Sequence, residues 1–392
     1  MSKQHDYKKL EKYSLHRLIR YFLLFSQCFS IFPLDGLTQT PKELKFRWLS
    51  SRTFYCLITI VLQFVYTIMM FTYTIRHGGQ FFDFLVVVWN LRAVLNLTFL
   101  LKVSTLWPRL IKHWCEMETN MASYGPVPNL KRRLTILPFL YLILGTGEHV
   151  LFVCGGIRRA LSKASPSESY VEKYFTLVYN EFFTLFGYAH WKAIIVEFLA
   201  LIATYQWQFS NLLITLLSTA LAERFRQIRQ TINCRKILSE SQWRIIRKQY
   251  NNLIILCNFL NEVLSNIVVL SFLSNVYFLS ISILQCLSSS QTGYGAMYFY
   301  YGLLFTAFHF VLLCWYASEV YEESSASISE LAIIPTKYLS HEIDRLLQQM
   351  TPRQTAISGG GFFDVKRTSI LSVSMTPIFQ LLICIECTLL IA

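Results

Sequence analysis

Residues 53–75 read TFYCLITIVLQFVYTIMMFTYTI, a run of 23 residues without one charged side chain. Coiled as an α-helix at about 1.5 Å per residue, the run is roughly 35 Å long. That is enough to cross the hydrocarbon core of a bilayer, which is about 30 Å thick. A surface helix of a soluble domain would carry a charged face along this length. Low-charge apolar runs recur at 81–106, 134–158, 174–204, 263–287, 296–320 and 366–391. The sequence therefore predicts an all-α membrane protein with seven transmembrane helices. Composition agrees: of 392 residues 54% are hydrophobic, 16% aromatic and only 15% charged, with mean hydropathy +0.40.

A pI near 9.2 and a net charge of +13 raise the question of nucleic acid. The basic residues, however, lie in the polar segments between apolar runs, and no basic-aromatic binding module is present, which excludes that class. Segments 1–52, 107–133, 205–262 and 321–367 together hold 28 Lys and Arg, against 5 in the alternate segments. The positive-inside bias predicts a cytoplasmic N-terminus and an extracellular C-terminus, the reverse of a G-protein-coupled receptor. The resulting division is a cytoplasmic segment 1–52, helices one to four over 53–204, cytoplasmic helical extensions over 205–262, helices five and six over 263–320, a cytoplasmic amphipathic helix within 321–365, and a last helix over 366–392.

Segment 14–33 competes for an eighth span. Its Arg17, Arg20 and Pro33 favour a packed or interfacial helix, and without a small-residue cleavage site it does not read as a cleaved signal peptide. The stretch 219–264 has apolar residues at helical spacing and neither Pro nor Gly, so helices four and five are expected to continue past the membrane. The ten cysteines are scattered, and the single C-x-x-C at Cys384 and Cys387 has no partner pair. No metal, cofactor or enzymatic cluster is expected. A secondary transporter would show internal repeats and Gly- or Pro-broken helices in matching halves, which are absent here.

Several ordered motifs carry a resemblance. They include LFSQCFSIFPLDGL (24–37), FRWLSSRTFYCLI (46–58), WPRLIKHWCEMETNMASYG (107–125), GEHVLF (147–152), the WQF of 207–209 leading to ERF at 223–225, SFLSNVYFL (271–279), and the late run from IPTKYLSHEIDR to SGGGFFDVKR. Together they resemble the insect gustatory receptors, specifically the sugar-receptor branch. The resemblance implies the seven-helix fold of the related olfactory receptors, with four subunits around a central pore lined by the last helix. It also implies a ligand-gated, weakly selective cation channel in the plasma membrane of chemosensory neurons. Such a channel would be opened by a sugar or similar polar tastant, as a homotetramer or a heterotetramer with other gustatory receptor subunits. An odorant- or bitter-type channel of the same superfold is the nearest alternative.

Two departures stand out. Trp207-Gln208-Phe209-Ser210-Asn211 replaces the branch's Trp-Asn-Phe-x-Asp, and the last helix lacks the family's Thr-Tyr and Gln-Phe pairs, which fall on Phe379-Gln380 and Glu386-Cys387.

Depth along the helices selects the ligand-binding candidates. Glu148 and His149 lie in the outer half of helix three. At matching depth lie Trp89, Asn90 and Arg92 on helix two, and Tyr179, Glu181, Tyr188 and Trp191 on helix four. Tyr277, Tyr301 and His309 complete the level from helices five and six. Carboxylates and amides suit sugar hydroxyls, and Trp and Tyr suit the sugar's apolar face. The alternative is that Glu148 or Glu181 pairs with Arg92 or Lys192 as structural glue. In the last helix Phe379, Ile383, Glu386 and Cys387 are pore candidates, with Glu386 forming a ring of carboxylates that attracts cations.

Overall fold

A computed structural model of the chain describes residues 14–79, 84–163, 169–234, 239–288, 294–334, 340–350 and 355–368. Most of the last predicted helix, with Phe379, Ile383, Glu386 and Cys387, lies outside the described residues. The described elements are α1 (Leu15–Gln27), α2 (Ser51–Arg76), α3 (Phe84–Asn120), α4 (Leu130–Lys163), α5 (Tyr170–Val178), α6 (Asn180–Phe186), α7 (His190–Cys234), α8 (Glu240–Ser288), α9 (Tyr294–Ala332), α10 (His341–Met350) and a two-stranded hairpin, β1 (Ser358–Gly359) with β2 (Phe363–Asp364). Six of these helices are long and apolar enough to cross a membrane: α2, α3, α4, α7, α8 and α9.

The run that opened the sequence forms α2. The Ser50 hydroxyl caps it by accepting the Thr53 amide at 3.2 Å. Its buried face carries Thr53, Cys56, Thr59, Gln63, Tyr66, Thr67, Met70 and Thr74, while Phe54, Val61, Ile68 and Ile75 on the other side are exposed. Small and polar side chains turned inward with apolar ones outward is the packing that lipid selects.

The core lies toward the other end of the bundle. There α7 is buried almost continuously from Gln206 to Phe225 and packs against α3, α4, α8 and α9. Phe32 stacks edge-on to Trp107 at 4.8 Å. α1, at 13 residues, is too short to span and docks on the core. Its first amide, at Leu15, donates to Glu118 at 3.2 Å, the same carboxylate that accepts from Arg224 at 3.2 Å. Gln27 then donates to the carbonyls of Phe32 and Leu34 at 3.1 and 2.8 Å, fixing the turn that leads to α2.

Two boundaries differ from the sequence reading. The predicted span 174–204 is divided: α5 and α6 are short, Gly187 turns the chain at φ +63°, and the long helix begins only at His190. Apolarity ran unbroken through that turn, so hydropathy did not mark it. At the opposite end, α9 passes the expected limit at 320 and continues to Ala332, since nothing between Leu303 and Ala332 breaks a helix.

Six carboxylates and guanidiniums tie three helices together near that end. Arg226 on α7 bridges Glu223 to Glu323 of α9, the latter at 2.8 Å. Arg229 holds the other oxygen of Glu323 at 2.8 Å, and Arg133 of α4 reaches Glu223 at 2.8 Å and Glu319 at 3.6 Å.

α10 buries Glu342, Ile343, Leu346 and Met350, with the Glu342 carboxylate 2.6 Å from Arg247 of α8. That hydrogen bond, reinforced by Arg244 and Arg345, holds the Glu342 carboxyl below its ordinary value of 4.5. A depressed carboxyl stabilises the docked helix above its unfolded pKa and loses that contribution as pH falls through the folded value. Amide protection in α10 is therefore expected to stay level from neutral pH down to about 5 and to fall below that. Hydrogen exchange of the Glu342→Gln variant should show weaker protection at neutral pH and no such acid step.

The hairpin follows. Asn261 of α8 donates to the Ala356 carbonyl at 2.8 Å and accepts the Ser358 amide at 3.1 Å. Gly360 and Gly361 supply the positive φ of the turn, +63° and +74°. The chain then presents Lys366 over Tyr321 and Arg367 over Trp315, at 4.7 and 5.1 Å, both rings on α9.

Candidate ligand cavity

At the end of the bundle opposite the ionic cluster, α2, α3, α4, α6, α7, α8 and α9 surround a cavity of about 430 Å³. The position follows from helix lengths. The upper half of α7 is less tightly packed than its lower half, and α5, α6 and the junction between them add Val178, Tyr179 and Glu181 to the wall. Of the twelve ligand-binding candidates, six line the cavity: Trp89, Asn90, Glu148, His149, Tyr179 and Glu181.

Glu148 accepts a hydrogen bond from Tyr298 at 3.2 Å. The Tyr179 hydroxyl donates to Glu197 at 2.9 Å, and the other oxygen of Glu197 lies 3.7 Å from His149 Nε2. The wall made by Tyr179 and His149 is thus fixed from behind by a carboxylate that sequence reasoning did not single out. Asn90 is anchored too, accepting from Gln63 and donating to the Val86 carbonyl, both at 2.7 Å.

The other six candidates sit elsewhere. Arg92 lies below the floor, His309 one helical turn deeper than the lining residues of α9, and Tyr277 beside Phe278 at 5.1 Å between rings. The Tyr301 hydroxyl donates to the Leu144 carbonyl at 2.9 Å. Tyr188 pairs with His190 at 2.9 Å on the turn after α6, and Trp191 is 63% exposed. These last two follow from the divided span: depth was counted along a helix that does not exist there.

The expected glue pairs are not formed either. Lys192 donates to the carbonyls of Phe186 and Gly187, so it caps the end of α6. Arg92 is buried and donates to the Ala203 carbonyl at 2.9 Å, while its Nε and Nη1 have no partner. Its guanidinium instead lies 4.2 Å from the Trp89 ring, 5.3 Å from Trp207 and 6.0 Å from Phe278. All three rings line the cavity, so one cation holds an aromatic floor together from beneath.

Sequence reasoning missed Tyr66, Phe152, Thr204, Trp207, Phe278, Ser282, Phe305 and Thr306, which also line the cavity. The signal was present in the period. Ala200, Thr204 and Trp207 share one face of α7, as Phe278, Ile281, Ser282 and Gln285 share one of α8. Below the floor, His309 and Asn211 side chains meet at 3.2 Å. Asn211 is the position where the branch pattern has an acid. Among the described residues no His, Cys, Asp and Glu group is placed to hold a metal.

A profile of the trehalose receptor family matches residues 1–388. The chain belongs to the trehalose receptor family. Curated relatives of this trehalose receptor family member include the gustatory receptor for sugar taste 64f of Drosophila melanogaster, 25% identical and covering 95% of this chain and 81% of the relative. Gustatory receptor 5a for trehalose from the same fly is 23% identical, covering 93% and 83%. Among solved structures, the insect olfactory receptor OR5 from Machilis hrabei in complex with eugenol superposes with a TM-score of 0.71 at 14% identity, covering 95% of this chain and 98% of that one. A second structure of the same receptor gives 0.69 at 13% identity, covering 94% and 97%. The family is thus one of gustatory receptors rather than enzymes, its member here is a multi-pass membrane protein, and its fold is that of the insect olfactory receptors.

Proposed function

We propose that this receptor is a sugar-gated cation channel subunit with its agonist site in the α2–α9 cavity. The observation that carries the reading is the cavity's lining: Trp89, Trp207 and Tyr298 beside Glu148, Glu181 and Asn90, in about 430 Å³. Ligand pockets commonly span roughly 300–1,000 Å³. Aromatic rings cover the apolar face of a pyranose while carboxylate and amide oxygens accept its hydroxyls. The sugar-receptor relatives favour the same ligand class, and the distribution of Lys and Arg favours a cytoplasmic N-terminus, which opens the cavity to the outside. Assembly as a homotetramer or with sister gustatory subunits, a pore lined by the last helix with Glu386 near its outer mouth, and residence in chemosensory plasma membrane belong to the same proposal.

Whole-cell recording from cells expressing the chain, alone and with sister receptors, tests it. Glucose, trehalose and other neutral sugars are expected to evoke a non-selective cation current. Responses confined to volatile aromatics, for which the cavity's many rings also have affinity, would replace the sugar with an odorant-type agonist. Stoichiometric uptake without channel openings would replace the channel with a transporter.

A further inference from the structure

The cavity is charged as well as aromatic. Two carboxylates line it, Glu148 from α4 and Glu181 from α6, and among the described residues no Lys or Arg does. Glu197 stands one layer behind, through Tyr179 and His149. Arg92 is the nearest buried cation, and the Trp89 and Trp207 rings lie between its guanidinium and the cavity floor. Glu148 has a neutral hydroxyl, that of Tyr298, as its hydrogen-bond donor. The floor also offers an unanswered polar group: Trp207 is buried and its Nε1–H has no partner in the protein. Carboxylates set among the faces of Trp, Tyr and Phe rings are the surroundings in which an organic ammonium is held by ion pairing and cation–π attraction together.

We propose that the cavity discriminates by ligand charge: a protonated amino sugar binds more tightly than its neutral parent, and a sugar acid is rejected, with Glu148 and Glu181 as the specificity-determining residues. This rests on the cavity being the agonist site. A sugar hydroxyl gives Glu148 a hydrogen bond to a charged acceptor, whereas an ammonium adds the opposite charge beside it. A carboxylate ligand meets two like charges there.

The test compares four pyranoses on the full chain, expressed alone and with sister subunits: glucose, glucosamine below its amine pKa, N-acetylglucosamine and glucuronate. Glucosamine is expected to act at concentrations about tenfold lower than glucose or N-acetylglucosamine, the difference between a charged and a neutral hydrogen-bonded pair. Glucuronate is expected to be silent. The Glu148→Gln/Glu181→Gln double variant should erase the glucosamine advantage, since glutamine still accepts from hydroxyls but carries no charge. The wild-type comparison stands alone if that variant does not reach the surface. Glucose opening the channel with glucosamine equal or weaker overturns the charge preference and leaves the sugar reading intact. Glucosamine acting where neutral sugars fail supports the preference and overturns the neutral-sugar reading. Silence to all four overturns both.

Discussion

Replacing Trp207 with alanine is expected to raise the half-maximal sugar concentration by about 30-fold or more, the loss typical of a buried aromatic hot spot worth 2 kcal/mol. Trp207 touches everything that shapes the floor. Its ring lies 5.6 Å from Trp89 and 6.1 Å from Phe278, 5.6 Å from His309 below, and within cation–π range of Arg92. Alanine removes the ring a sugar would stack on and opens a hole beneath it, a change that costs roughly 3–5 kcal/mol in a core. Trp207→Phe separates the two contributions. It keeps a six-membered ring to stack on and loses the pyrrole half of the indole with its Nε1–H, which has no partner in the protein and is left for a ligand hydroxyl or water. Its potency loss should be about fivefold to tenfold, one hydrogen bond's worth. Dose–response curves are to be normalised to surface expression. Unchanged potency in surface-expressed Trp207→Ala would count against the cavity floor as the agonist's stacking surface.

Why half of the site was legible is a matter of which coordinate a sequence supplies. Counting residues along a helix gives depth, and depth placed Trp89, Asn90, Glu148 and His149 at the level of the candidate cavity. It gives no azimuth. Trp89 and Asn90 share the lining face of α3 with Leu85 and Val86, whereas Arg92, two residues beyond Asn90, has rotated away and drops beneath the floor. His309 shows the converse, correct face and one turn too deep, since the lining residues of α9 end at Phe305 and Thr306. Tyr188 and Trp191 failed for a different reason: a backbone turn at Gly187 interrupts an apolar run, and hydropathy is blind to φ. Long-range pairs such as Tyr179 with Glu197, or Lys192 with the end of α6, depend on that turn. The fold was more readable because a bilayer allows few alternatives: each run of 20 or so apolar residues must be a helix. The length of α7 and α8, 45 and 49 residues, followed from a 3.6-residue apolar period uninterrupted by Pro or Gly across the segment that joins them.

Arg226→Met is expected to cost the protein roughly 3–5 kcal/mol, the penalty for stranding buried carboxylates, rather than the fraction of a kcal/mol of a surface pair. Geometry sets the scale. Glu223, Glu319 and Glu323 are each about one-tenth exposed or less, and Arg226 reaches all three. Without it, Arg229 still holds one oxygen of Glu323. Glu223 and Glu319 are left to Arg133, which is 37% exposed and shared between them. Three like charges then face two cations across the contact of α4, α7 and α9. In detergent the melting temperature should fall by roughly 5–10 °C, read from the folded tetramer or monomer peak after heating. Arg226→Lys should fall between, because the three donors of an ammonium radiate from one nitrogen, whereas the guanidinium spreads Nε and Nη1 to Glu323 and Glu223. Adding Glu323→Gln to Arg226→Met should recover part of the loss by removing one stranded charge, a coupling that distant sites would not show. A double variant no more stable than the single one would mean the cluster is solvated rather than buried. The same clamp couples α7 to α9, since both run unbroken from the cavity, at Trp207 and Tyr298, to these charges. A ligand that displaces α9 at the cavity must carry α7 with it or break pairs worth several kcal/mol. Helices tied at one end in this way transmit a shift as a rigid body, and α9 carries Lys366 and Arg367 on its Tyr321 and Trp315 rings.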